Sequence, residues 1–104
     1  MAKIPTKVKK TIERFLLALQ ENNIPIKRAV LFGSYARGTQ TKWSDIDLAI
    51  VSDAFIGSRF DDRKKIRPIY LSICSELEVL PYTPEDFIED DPFVKEIIET
   101  GIEL

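Results

Sequence analysis

Val30-Leu31-Phe32-Gly33-Ser34-Tyr35-Ala36-Arg37-Gly38-Thr39-Gln40-Thr41-Lys42-Trp43-Ser44-Asp45-Ile46-Asp47-Leu48-Ala49-Ile50-Val51 is the stretch on which the reading of this chain turns. An apolar run ends in Gly33-Ser34, ten residues intervene, and Asp45-Ile46-Asp47 opens a second apolar run. The segments Ile26–Phe32 and Ile46–Val51 are short, rich in Val, Ile and Leu, and bounded by Pro25, Gly33 and Ser52-Asp53, which predicts two buried strands. Residues two apart on a strand point to the same side, so Asp45 and Asp47 should project together. At roughly 5 Å and an effective dielectric of about 20, two such carboxylates repel by on the order of 3 kcal/mol. A positive group belongs between them, and oxygen-only donors on a rigid strand suit a hard cation such as Mg²⁺, shared with substrate phosphates.

Gly33-Ser34 reads as the phosphate half of the same site. Glycine at a strand end lets the backbone turn sharply and lets a ligand approach, and the Ser hydroxyl and amide can donate to a phosphate oxygen. A short helix from Ser34 to Arg37 would add free N–H groups, with Arg37 and Lys42 available to pair with a polyphosphate tail. Gly33 and Gly38 are also spaced as in a Walker A loop, but Thr39-Gln40 stands where that loop needs Lys followed by Ser or Thr, so the P-loop reading fails. Trp43 reads as a core or rim aromatic.

Composition narrows the chemistry. The 104 residues include no histidine and one cysteine, Cys74, which removes Ser-His-Asp and Cys-His catalysis and all the usual zinc sites, leaving carboxylates as metal ligands. A length of 104 residues predicts one domain spanning 1–104, and neither a membrane-span-length apolar run nor a signal-peptide pattern occurs, so the expected location is cytoplasmic. Cys74 reads as a small buried hydrophobe. A net charge of −2 argues against a generic nucleic-acid-coating protein.

Gly-Ser, ten residues, Asp-x-Asp, in the form Gly33-Ser34-Tyr35-Ala36-Arg37-Gly38 and Trp43-Ser44-Asp45-Ile46-Asp47-Leu48, closely resembles the DNA polymerase beta-like nucleotidyltransferase superfamily. It is most similar to its smallest members, the minimal nucleotidyltransferases of bacteria and archaea, which are usually encoded beside a HEPN-domain protein. The resemblance implies a nucleoside triphosphate substrate, two Mg²⁺ ions and release of pyrophosphate. It implies that Asp45 and Asp47 hold the metals and that Gly33 and Ser34 hold the triphosphate with help from Arg37. It also implies a third carboxylate from a strand beside Asp-x-Asp. Glu76–Tyr82 alternates like such a strand and offers Glu76 or Glu78; Glu78 stands closer to the following Thr83-Pro84-Glu85-Asp86, although the family's usual residue there is Asp. Glu78 is thereby assigned to the metal nearest the acceptor and to deprotonating its hydroxyl.

The resemblance further implies transfer of AMP from ATP to a tyrosine of a HEPN toxin, with this chain as antitoxin in a hetero-oligomer. Two other readings stand beside it: an antitoxin that acts by binding alone with a vestigial site, and a nucleotidyltransferase for a small molecule of aminoglycoside type. A homo-oligomer is also open.

The remaining elements follow from periodicity. Thr6–Asn23 carries Val8, Ile12, Phe15, Leu16 and Leu19 at helical spacing, with Lys7, Lys9 and Lys10 read as a solvated face. Ser52–Gly57 reads as a loop. Ser58–Ser75 reads as a helix with Phe60, Ile66, Ile69, Tyr70 and Ile73 inward, residues 61–65 and Arg67 largely wet, and a kink or break where Pro68 intervenes. Thr83-Pro84-Glu85-Asp86 reads as a helix start, Asp90-Asp91-Pro92 as its end, and Phe93–Thr100 as a last helix. Its apolar residues exceed what one small sheet covers, which leaves a patch for a partner. The expected fold is α/β (α+β): a small mixed sheet with the site on one face and helices on the other.

Overall fold

The computed structural model describes residues 4–104. Its elements are α1 (Thr6–Glu21), β1 (Arg28–Phe32), α2 (Ser34–Arg37), β2 (Ile46–Val51), α3 (Arg59–Ile73), β3 (Leu77–Tyr82), α4 (Pro92–Thr100) and β4 (Ile102–Glu103). The strands form one mixed sheet in the order β3-β2-β1-β4. β1 runs antiparallel to β2, and β2 runs parallel to β3. This pairing alone brings three strand ends together: the end of β1 at Phe32-Gly33, the start of β2 at Asp47 and the start of β3 at Glu78.

Strand alternation divides the apolar residues between two faces. On one face Ala29, Leu31, Leu48, Ile50 and Val79 meet Ile12, Phe15 and Leu19 of α1 and Ile66 and Tyr70 of α3, with Phe15 and Tyr70 edge to face at 6.4 Å. The two long helices therefore cover one side, as expected. On the other side, which carries Asp47, a smaller core of Val30, Ala49, Val51 and Tyr82 is closed by Phe87 and by Val94 and Ile97 of α4. The sheet is thus helix-covered on both faces, with α4 over the half remote from Glu78.

Several local expectations are corrected. Thr83 starts a single turn instead of a helix: its Oγ1 accepts from Asp86 N and its carbonyl from Phe87 N, after which Phe87 leaves the turn to pack edge-on against Tyr82 at 5.2 Å. The helix begins only at Asp91, whose carboxylate accepts from Phe93 N and Val94 N with Pro92 in the first turn. α3 is continuous through Pro68, which lies on its exposed side, where water can serve the carbonyl left without a helical donor. Phe60 is 76% exposed, not core, and Asp62 is buried, not wet. Cys74 is half-buried at the end of α3 and donates its thiol to Glu76, while burial pushes that thiol's pKa up. Trp43 is 82% exposed. β4 was not anticipated; it adds Leu31↔Ile102 and Val30↔Glu103 pairs to the edge of β1, secured by an Arg28–Glu103 ion pair at 2.8 Å. The apolar excess is real, since Ile88 and Phe93 stay roughly half exposed.

Candidate active site

The site begins with the turn out of β1. Gly33 adopts φ +74°, ψ −151°, a region open in practice only to glycine, and then caps α2. A Cβ at this position would overlap Asp47 Oδ2. The backbone conformation requires the glycine, and an added Cβ would also displace the carboxylate laid against its Cα. Ser34 opens α2, and among the described residues its hydroxyl makes no hydrogen bond, which leaves it free to donate outward.

Asp47 is the electrostatic centre. It pairs in register with Phe32 on one side and with Glu78 on the other. Its pKa is pushed up to about 6, chiefly by burial, then by the neighbouring Asp45 and Glu78 charges, with Arg37 pulling the other way. Four of the sequence-selected residues, Asp45, Asp47, Glu78 and Arg37, therefore share one electrostatic neighbourhood. A partly buried carboxylate that resists ionisation beside two others is a place prepared for a cation.

The arrangement is open on one side. Glu78 Oε1 accepts from Arg63 Nη2 at 3.2 Å, and that guanidinium also donates to the Tyr70 hydroxyl. Among the described residues, no three acidic side chains converge tightly enough to enclose a metal ion. Asp45 and Asp47 are the pair that can hold one. Two oxygen donors with the remaining positions left to water and phosphate fit a hard divalent ion of the Mg²⁺ kind. Glu76 lies elsewhere: its carboxylate accepts from Cys74 Sγ and Ser75 Oγ, which hold it below the usual carboxylate range, and only its carbonyl meets β2, at Ile46 N.

Lys42 is given other company. Its ammonium sits 5.0 Å from the centre of the Trp43 ring and faces a small cavity of about 140 Å³ shared with Lys7, Tyr35, Ser44 and Glu76. Two residues escaped sequence reasoning. Arg63 looked like one more surface charge on α3, and only the fold reveals that it clamps Glu78. Gln40, between α2 and β2, has a buried Oε1 with no hydrogen-bond partner among the described residues, which nothing in its sequence context signals.

A family model described as a nucleotidyltransferase domain matches residues 12–103. The chain belongs to that family. As a member of that family it resembles three proteins of Methanocaldococcus jannaschii, each provisionally named a protein adenylyltransferase. One is 35% identical over 81 residues, which are 74% of either chain. The other two are 51% and 45% identical over 45 and 42 residues; these spans cover 42% and 40% of this chain but only 45% and 29% of the relatives. The chain thus aligns with less than half the length of those two relatives. Among solved structures, a chain of the toxin–antitoxin MntA–HpeT in a point-mutant form superposes with a TM-score of 0.60 at 19% identity, covering 89% of this chain and 70% of that one. A provisionally assigned nucleotidyltransferase from Sulfolobus solfataricus superposes at 0.60 with 20% identity, over 99% and 89%. At these identities the two superpositions establish the fold. No helix among the described residues is long and apolar enough to cross a membrane.

Proposed function

We propose that this nucleotidyltransferase moves AMP from ATP to a hydroxyl of a protein, a tyrosine of a HEPN-domain toxin, and acts as that toxin's antitoxin. The observation that carries the reading is the contact between the Gly33 turn and the Asp47 carboxylate, in register with Glu78: the glycine turn that leaves β1 and the acidic groups at the starts of β2 and β3 lie at one end of the sheet. The provisional names of the M. jannaschii relatives favour a protein acceptor, and the fold shared with the toxin–antitoxin chain is consistent with a toxin as partner.

In this reading Ser34 and the first amides of α2 bind the triphosphate, and Arg37 offsets its charge. Two Mg²⁺ ions on Asp45 and Asp47 would supply charge neutralisation and alignment for in-line displacement. The acceptor oxygen bonds to the α-phosphorus, the bond from that phosphorus to the oxygen bridging the β-phosphorus breaks, and pyrophosphate departs. Glu78 takes the hydroxyl proton once its contact with Arg63 loosens.

That contact is also what favours the second reading, an antitoxin that works by binding alone. The two separate on incubation with Mg²⁺ and α-³²P-labelled ATP, with and without the HEPN-domain protein. Label on the partner that disappears in Asp45→Asn supports transfer. A tight complex with no label on any protein overturns it in favour of binding alone.

A further inference from the structure

Beside the site, an open groove of about 970 Å³ lies between α3 and the start of β3. Its floor is apolar, formed by Leu77, Leu71, Pro68 and the ring of Phe60, which is 76% exposed. Its wall is cationic. Arg59, Arg63 and Arg67 follow one another at four-residue spacing along α3, and Lys64 stands beside them. Among the described residues, neither Lys64 nor Arg67 forms an ion pair. Four cations and one carboxylate, Glu78, thus line the groove, in a chain whose net charge is −2. The groove runs into the site at that carboxylate, where Arg63 bridges the two.

We infer that this groove docks the protein that receives the nucleotide, through an acidic segment carrying apolar side chains, and so brings its hydroxyl to Glu78. The inference rests on the protein-acceptor reading above. Charge complementarity selects the occupant: a positive wall calls for an acidic partner, and an apolar floor calls for side chains to cover it. A single-stranded nucleic-acid track would need successive aromatic rings for its bases to stack on, and Phe60 is the one exposed ring in the lining. An acidic residue bound here competes for Arg63, which couples occupancy of the groove to release of Glu78 toward Asp45 and Asp47.

The test uses fluorescein-labelled Glu–Tyr random copolymer as the acidic probe, with Lys–Tyr copolymer and polyuridylate as comparators. The protein is tested as wild type, as Lys64→Glu/Arg67→Glu, and as Lys9→Glu/Lys10→Glu, which reverses two exposed charges on α1 outside the groove. The expected result is binding of the Glu–Tyr copolymer that weakens by about tenfold or more in the groove variant and much less in the α1 variant, at unchanged circular dichroism. Equal losses in the two variants overturn the groove. Tighter, groove-dependent binding of polyuridylate also overturns it, in favour of a nucleic-acid surface. With the HEPN-domain protein and labelled ATP, the KM for the protein acceptor should rise by about tenfold in the groove variant while the KM for ATP holds. Labelling at wild-type KM in that variant overturns the groove and leaves the transfer reading intact. Absence of label from wild type, with groove-dependent copolymer binding retained, overturns transfer, and with it the acceptor role but not the acidic docking.

Discussion

Asp47 and Glu78 are register partners across the parallel β2–β3 pair, yet the Glu78 carboxylate is engaged by Arg63 at 3.2 Å. The third acidic group is therefore adjacent to the site and restrained outside it. Freed from Arg63, it would raise the negative potential where a cation binds. Arg63→Gln is expected to lower the Mg²⁺ concentration for half-saturation by about three- to tenfold, read from the rise of Tm with added Mg²⁺. Glu78→Gln should raise it and slow nucleotide transfer by about 10²-fold or more. Unchanged half-saturation in both variants would remove Glu78 from the metal set.

Gly33→Ala combines two penalties, a backbone conformation reserved for glycine and a Cβ driven into Asp47. A loss of about 2–4 kcal/mol in urea unfolding is expected, together with loss of transfer. A double-mutant cycle separates the two parts. In an Asp47→Ala background the steric part vanishes and the backbone part, about 1–3 kcal/mol, remains. Full additivity of the two substitutions would mean that the turn does not press on the carboxylate.

What the sequence disclosed, and what it hid, follows the range of the interactions involved. Gly33, Ser34, Asp45 and Asp47 were legible because their spacing is local and their residue types are costly where they stand, two acids on one strand face and a glycine at a strand end. β2 and α2 have the bounds expected from their flanking residues. The helix expected at Thr83 is absent because a cap turn satisfies the same local preferences, and burial of Phe87 against Tyr82 then decides how far the helix goes. β4 is two residues long and exists only by pairing with β1, so no periodicity could reveal it. Arg63 and Asp62 were read by helix phase as surface charges, whereas their roles depend on β3 and on the loop before α3, partners the helix pattern does not contain.

Asp47 predicts a pH dependence of stability whose sign is opposite to that of an ordinary paired acid. Its folded pKa, about 6, lies above its reference value of 3.8, so between these the native state holds more protons than the unfolded state. Stability from this group is thus fully present below about pH 4 and is lost as pH rises through about 6. After discounting for solvent screening, the loss is on the order of 1–2 kcal/mol. Without Mg²⁺, Asp47→Asn should therefore be more stable than wild type at pH 7 by about that amount and nearly equal to it at pH 4, while transfer is lost. Urea titrations at the two pH values check this; a variant less stable than wild type at pH 7 would show that the carboxylate is already neutralised by a contact within the fold.

Asp62 is expected to matter for stability and not for chemistry. It is 2% exposed, and its two oxygens accept from Ile56 N and Gly57 N at 3.0 Å each, pinning the loop that carries the chain from β2 into α3. Asp62→Ala leaves both amides without their acceptor and should cost about 2–3 kcal/mol. Asp62→Asn keeps one acceptor oxygen and should cost about half as much. Because neither oxygen faces the Asp47 site, kcat measured well below Tm should stay within about twofold of wild type in both variants. A fall in kcat with stability unchanged would reverse the assignment, making the loop part of the transfer machinery and Asp62 its positioning residue.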